Sequence, residues 1–145
     1  MRWQRVEQAD ASSTYALVLE TGDRFEETLL RFARATAAPA ASFFGLGALE
    51  RAELAYFEPR TRRYEPLPVE EQVEVVSLVG NIARLDGEPK VHAHCVLGRR
   101  DGSAIAGHLH DASVRPTLEL FVTVYMEELR REQDEASGLP LISPA

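Results

Sequence analysis

Between Lys90 and His110 the chain reads KVHAHCVLGRRDGSAIAGHLH, a stretch that few folds can accommodate. Side chains of an extended strand alternate between faces. His92 and His94 therefore share one face, while Val91, Ala93, Cys95 and Leu97 share the other and read as core. Arg99-Arg100-Asp101-Gly102 is a turn signal, because Asp-Gly supplies the positive φ of a tight reversal. The returning arm, Ser103 to Leu109, brings His108 alongside the first arm, with His110 just beyond. All four histidines of the protein fall in this segment. A His-x-His on one arm and a histidine on the other can gather three imidazoles, His92, His94 and His108, around one metal ion. Neutral imidazole suits zinc, and three protein ligands plus water is the usual open catalytic arrangement. The competing reading is a polar pair on a sheet face, hydrogen-bonded or turned toward a partner subunit.

The remaining chain predicts one helix among many strands. Ala16 to Leu19 is an apolar, β-leaning run closed by Thr21-Gly22-Asp23. Asp23 is placed to cap a helix from Arg24 to about Thr36, with Glu26 and Glu27 in its first turn. Phe25, Leu29, Phe32 and Ala33 fall at helical spacing, so the helix lies on a sheet. Pro39 stops it. Ser42 to Gly47 opens a strand whose glycines, Gly45 and Gly47, predict a bulge or a close backbone approach. A dinucleotide fingerprint would need a helix after them, whereas Ala48 to Phe57 alternates as a strand. Glu58 to Tyr64 reads as a turn, and Pro66 and Pro68 confine Glu65 to Val69 to an edge or connector. Val73 to Ala83 is rich in β-branched residues and is followed by the Asp86-Gly87 turn. Beyond His110, Asp111-Ala112-Ser113 is expected to turn the chain into a last long strand, Thr117 to about Glu127. These elements predict an α+β fold with a strongly curled, largely antiparallel, barrel-like sheet and one main amphipathic helix packed on it. Residues 1–130 are expected to form one domain, and 131–145 a charged, then proline-containing, loosely ordered tail.

Composition narrows the function. A net charge of −7 repels phosphate backbones, so direct DNA binding by this chain is disfavoured. The basic trio Arg60, Arg62 and Arg63 reads as a solvated loop. A single cysteine excludes an internal disulfide and suits a reducing cytoplasm. No apolar run approaches the roughly 20 residues that span a bilayer, and the N-terminal residues lack the apolar core of a signal peptide. No Gly-x-Ser-x-Gly elbow marks a serine hydrolase. Cys95 falls on the core face and reads as a small apolar residue.

Three stretches, FFGLGALERAELAYFEP, EVVSLVGNIA and PKVHAHCVLGRRDGSAIAGHLHDASVRPTLEL, together resemble the plants-and-prokaryotes-conserved (PPC) domain. The resemblance runs from about Thr14 to Leu129. Two departures stand out: Ala106 replaces the first glycine of the family's Gly-Gly-His-Leu, and Ala112 or Ser113 stands where a later glycine is usual. The resemblance implies a homotrimer. The family carries a DNA-binding label through plant members whose AT-hook segments precede the domain, and no AT-hook is present in this chain. The fold is also similar to that of acetolactate decarboxylase, whose zinc is held by a His-x-His and a third histidine. Carried over, those ligands fall on His92, His94 and His108. Glu119, on the strand after the hairpin, is a candidate extra carboxylate or acid/base group. His110 and Asn81 are candidates for groups that support the ligands, Asn81 with a turn or bulge role as its alternative. Two functions follow as expectations. One is a trimeric interaction, regulatory or ligand-sensing module with a zinc or other divalent ion. The other is a metal-dependent lyase or hydrolase acting on a small carboxylate or carbonyl compound.

Overall fold

The computed structural model describes residues 1–144. Nine strands and one helix follow in the order β1 (Arg2–Gln8), β2 (Ser12–Glu20), α1 (Phe25–Ala35), β3 (Ala40–Glu58), β4 (Arg63–Val69), β5 (Val73–Leu85), β6 (Glu88–Gly98), β7 (Ala104–Tyr125), β8 (Arg130–Gln133) and β9 (Pro140–Ser143). All strand pairings are antiparallel except a single parallel bridge, Arg84 with Arg130, joining β5 to β8. The α+β class is as expected, and the sheet is strongly curled. β3 pairs with β5, β5 with β6, β6 with the start of β7, and β7 again with β3.

The curl has a local cause. β3 and β7 are long, and their shared ladder slips register between Gly47 and Leu49, between Leu49 and Arg51, and between Glu53 and Leu54. Each slip adds one or two residues to one side of the ladder and bends it. A further slip between Gly45 and Gly47 marks the β3–β5 ladder, where the glycines predicted a bulge. Gly45 is also a close approach: the Glu119 carbonyl oxygen and the Leu120 side chain occupy the space a Cβ would need.

Helix α1 lays Phe25, Leu29, Phe32 and Ala33 on the concave side, all buried. They meet Leu17, Leu19, Ile82, Leu118 and Leu120 from the sheet, in one contiguous core. Each large side chain so buried contributes about 1.5–3 kcal/mol. This packing fixes which sheet face is core, and therefore which face is left for the histidines.

Three expectations are corrected and one strand is added. First, Asp23 does not cap the helix. The cap position is Arg24, whose side chain makes no capping bond, while Asp23 accepts from the Glu20 amide at 2.9 Å and pairs with the terminal amine at 2.8 Å. The free Glu26 amide instead donates to Asp111 Oδ1 at 3.2 Å, a cap supplied from β7. Second, Asp111-Ala112-Ser113 is not a turn. These residues pair with Glu53, Ala52 and Arg51, so β7 runs unbroken for 22 residues and takes its bend from bulges. Third, the described part of the tail, to residue 144, pairs β8 with β9 as a hairpin rather than running as loose chain, and Arg131 of β8 is buried. Fourth, an unforeseen strand, β1, covers β2 as an exposed edge. The Asp86-Gly87 reversal is as read, with φ of 51° and 83°. β4 pairs only with β3, the edge position its prolines demand.

Candidate metal centre

His92 and His94 project from the solvent side of β6, and the intervening Ala93 and flanking Val91 and Cys95 are buried. The Arg99–Gly102 reversal, closed by a bond from Gly102 N to the Arg99 carbonyl oxygen at 3.0 Å, sets His108 directly opposite His94. Ligand-capable atoms of His92, His94 and His108 all lie within 4.8 Å of one another. The His92 and His94 Nε2 atoms are 3.2 Å apart. Ring centroids are separated by 5.1 Å for His92–His94, 5.1 Å for His92–His108 and 5.4 Å for His94–His108. Gly80, on β5 beside this arm, has no room for a side chain, since a Cβ there would run into the Phe43 ring and the His92 carbonyl oxygen.

The electrostatics favour neutral rings. Burial, followed by the Arg131 charge and His94, lowers the His92 pKa. His108 is pushed down to about 4, by burial first and then by His110, His92, His94 and Lys90. A neutral imidazole keeps a lone pair for a metal. His108 Nδ1 is buried and has no hydrogen-bond partner among the described residues. An orphaned buried nitrogen is costly, and a cation beside the triad would meet a ring already stripped of its proton. The residues present therefore fit a divalent ion of the kind imidazole prefers, zinc among them.

The other expected residues divide. His110 is exposed and stands beside the cluster, its ring centroid 4.7 Å from that of His108. The register slip between Glu53 and Leu54 leaves it without a β3 partner. Asn81 lies opposite His92 in the β5–β6 ladder, but its Oδ1 accepts from Arg131 Nη2 at 2.6 Å rather than from a histidine. Glu119 lies in a different groove, lined by Phe44, Leu46, Val79 and Phe121. Cys95 is buried, and burial pushes its thiol up to about 12, so it is neither ligand nor nucleophile at neutral pH.

A cavity of about 210 Å³ opens beside His92 and His108. Its walls include Tyr64, Lys90, Arg131 and the β9 residues Pro140 and Leu141. The Tyr64 ring lies tilted beside that of His108, at 4.8 Å between centroids, and burial raises its phenol pKa. None of these neighbours stood out in the sequence. Tyr64 follows a basic turn, and Arg131 sits inside a charged run whose pattern is that of a solvated surface. Only the long-range pairing of β3 with β4, and of β5 with β8, carries them to the histidines.

Fold and site together define a class: α+β proteins with a curled antiparallel sheet and a histidine cluster on a strand hairpin. A family model for the Plants and Prokaryotes Conserved (PCC) domain matches residues 6–126, and the chain belongs to that family, the PPC domain of the resemblance above. Among solved structures, a candidate DNA-binding protein from Bacteroides thetaiotaomicron is 27% identical, with a TM-score of 0.88 and coverage of 97% of this chain and 96% of that one. A plant- and prokaryote-conserved (PPC) protein from Pyrococcus horikoshii is 28% identical, with a TM-score of 0.88 and 94% of each chain covered. A metal-containing protein from Archaeoglobus fulgidus is 29% identical, with a TM-score of 0.87 and coverage of 97% and 100%. No curated protein matches the chain.

Proposed function

We propose that this PPC-domain protein is a homotrimeric interaction or ligand-sensing module that holds a divalent metal, zinc first, on His92, His94 and His108. The convergence of three imidazoles from two strands carries this reading. The metal-containing relative from Archaeoglobus supports it. When bound, such an ion supplies a Lewis acid and a polarised water. The chain's own part is to hold His92 and His108 neutral by burial and to orient all three rings by strand pairing.

Assembly into trimers is argued from the outer sheet face. Phe44, Leu46, Val76, Val79 and Phe121 are all large, apolar and about half exposed there. Phe44 and Phe121 stack with centroids 5.6 Å apart. A contiguous apolar patch of this kind is expected to be covered in the assembled protein. The free buried thiol suits a cytoplasmic location, and among the described residues no helix is long and apolar enough to cross a membrane.

A second reading, a metal-dependent lyase or hydrolase acting on a small carboxylate or carbonyl compound, is favoured by one observation, the cavity at the open side of the triad. DNA as a direct partner is set aside for this domain, despite the description of the Bacteroides relative, because of the −7 charge. A salt-dependent mobility shift with duplex DNA at physiological ionic strength would reverse that judgement. The metal reading is tested by elemental analysis of the natively purified protein beside the variant carrying His92→Ala, His94→Ala and His108→Ala. The expected result is a stoichiometric divalent metal in the first and none in the second. Equal metal content in both would remove the site.

A further inference from the structure

Arg131 is an anomaly in a chain with 23 acidic residues. It is 7% exposed, yet among the described residues it forms no ion pair. Its Nη1 donates to the Pro140 carbonyl oxygen at 2.9 Å and its Nη2 to Asn81 Oδ1 at 2.6 Å. Both acceptors are neutral, and the buried Nε has no acceptor among the described residues. Burial lowers the guanidinium pKa, and a guanidinium keeps its charge in proteins. A buried charge without a counter-charge is expensive, and Arg131 borders the cavity beside His92 and His108.

The other charges of that cavity do not supply the balance. Lys90 Nζ already faces Glu26 Oε1 at 3.4 Å, so this pair is neutral as a unit. The histidines carry no negative charge in any state. A net positive charge therefore remains, set among apolar walls from Val91, Leu109, Leu139 and Leu141. Guanidinium matches a carboxylate with paired donors, and the apolar walls suit a hydrocarbon body better than a phosphate, which would need donors on several sides. At about 210 Å³ the space falls below the roughly 300–1,000 Å³ of sites for drug-sized ligands. The occupant is small.

We propose that the β8–β9 hairpin closes one side of the histidine cavity and places Arg131 there as the recognition group for a small monocarboxylate with an apolar body. Arg131 and the hairpin lie beyond the residues 6–126 matched by the family model. The inference deepens the ligand-sensing reading, but it rests on Arg131 and stands without the metal.

The test uses the full chain freed of metal by a chelator and titrated with sodium benzoate or with benzyl alcohol, its neutral counterpart. Backbone amide shifts are followed by NMR. Benzoate is expected to bind at least tenfold more tightly than the alcohol and to move the Tyr64, Leu139 and Leu141 signals. Arg131→Gln should abolish the preference, while Lys90→Gln should retain it. Equal binding of the two probes, no saturable binding of benzoate, or a preference that survives R131Q and disappears in K90Q would overturn the proposal. If R131Q releases the hairpin, seen as collapse of the β8 and β9 signals, the wild-type ratio and K90Q decide. A separate zinc titration distinguishes the two readings: an intact benzoate preference without zinc uptake supports this site while refuting zinc at the triad.

Discussion

His108 shows how one ring is tuned by what surrounds it. Its pKa falls to about 4 because burial penalises the imidazolium, and the neighbouring imidazoles and Lys90 add to the penalty. The consequence for stability has a definite sign. In the metal-free protein, between pH 6.5 and about 4, the unfolded chain takes up a proton that the folded ring refuses. Stability therefore falls on acidification through that window and is unaffected by this ring above it. The expected loss is about 1–2 kcal/mol, below the full linkage value because the ring is only half-buried. Chemical denaturation of metal-free wild type and His108→Gln at pH 7 and pH 4.5 checks this. The wild type should lose more stability than the variant, and parallel losses would contradict the account.

At the scale of elements, the start of α1 depends on a residue distant in sequence. Asp111 accepts from the Glu26 amide and from the Arg24 side chain, the latter through Nε at 2.7 Å and also through Nη2. The carboxylate thus stands at the positive end of the helix dipole while pinning α1 to β7. Asp111→Ala leaves a guanidinium and a helix amide without their acceptor. The expected cost is about 1–3 kcal/mol in urea denaturation. Asp23→Ala should leave the helix cap undisturbed, since Asp23 makes no bond to the helix's free amides. A smaller loss in D111A than in D23A would show that the cap is local after all. Local sequence pointed to Asp23, because a carboxylate at that spacing is the usual cap. The bend of β7 instead brought a second carboxylate to the free amides.

For the whole molecule, the exposed aromatic pair on the outer face sets the expected assembly. Phe44 and Phe121 belong to a row in which Phe44 is paired across the ladders with both Val79 and Phe121, and Val79 with His94. The apolar face therefore adjoins the histidine triad, and assembly would cover one flank of the metal centre. Phe121→Glu is expected to convert a trimer of about three times the 16.1 kDa chain mass to a monomer in light-scattering chromatography. Its circular dichroism should remain that of a folded chain, since Phe121 is not in the core. A wild type that runs as a monomer would remove the trimer from the proposal.

Much of this architecture was legible in local pattern. Alternation along Val91–Leu97 fixed which face His92 and His94 share, and Asp-Gly pairs marked both hairpins flanking that arm. The spacing of Phe25, Leu29 and Phe32 revealed the helix and its buried side. These readings succeed because pleat, helical pitch and turn chemistry are properties of a few adjacent residues. What tertiary structure alone decided depends on long-range pairing. Bulges turned Asp111-Ala112-Ser113 from an expected turn into the middle of a strand, and the β8–β9 hairpin folded Arg131 out of a charged run into a cavity wall. Glu119 was carried the other way, into the apolar groove and apart from the triad. A residue's neighbours across a curled sheet are set by register and curvature summed over the whole ladder, and no short window of sequence contains that sum.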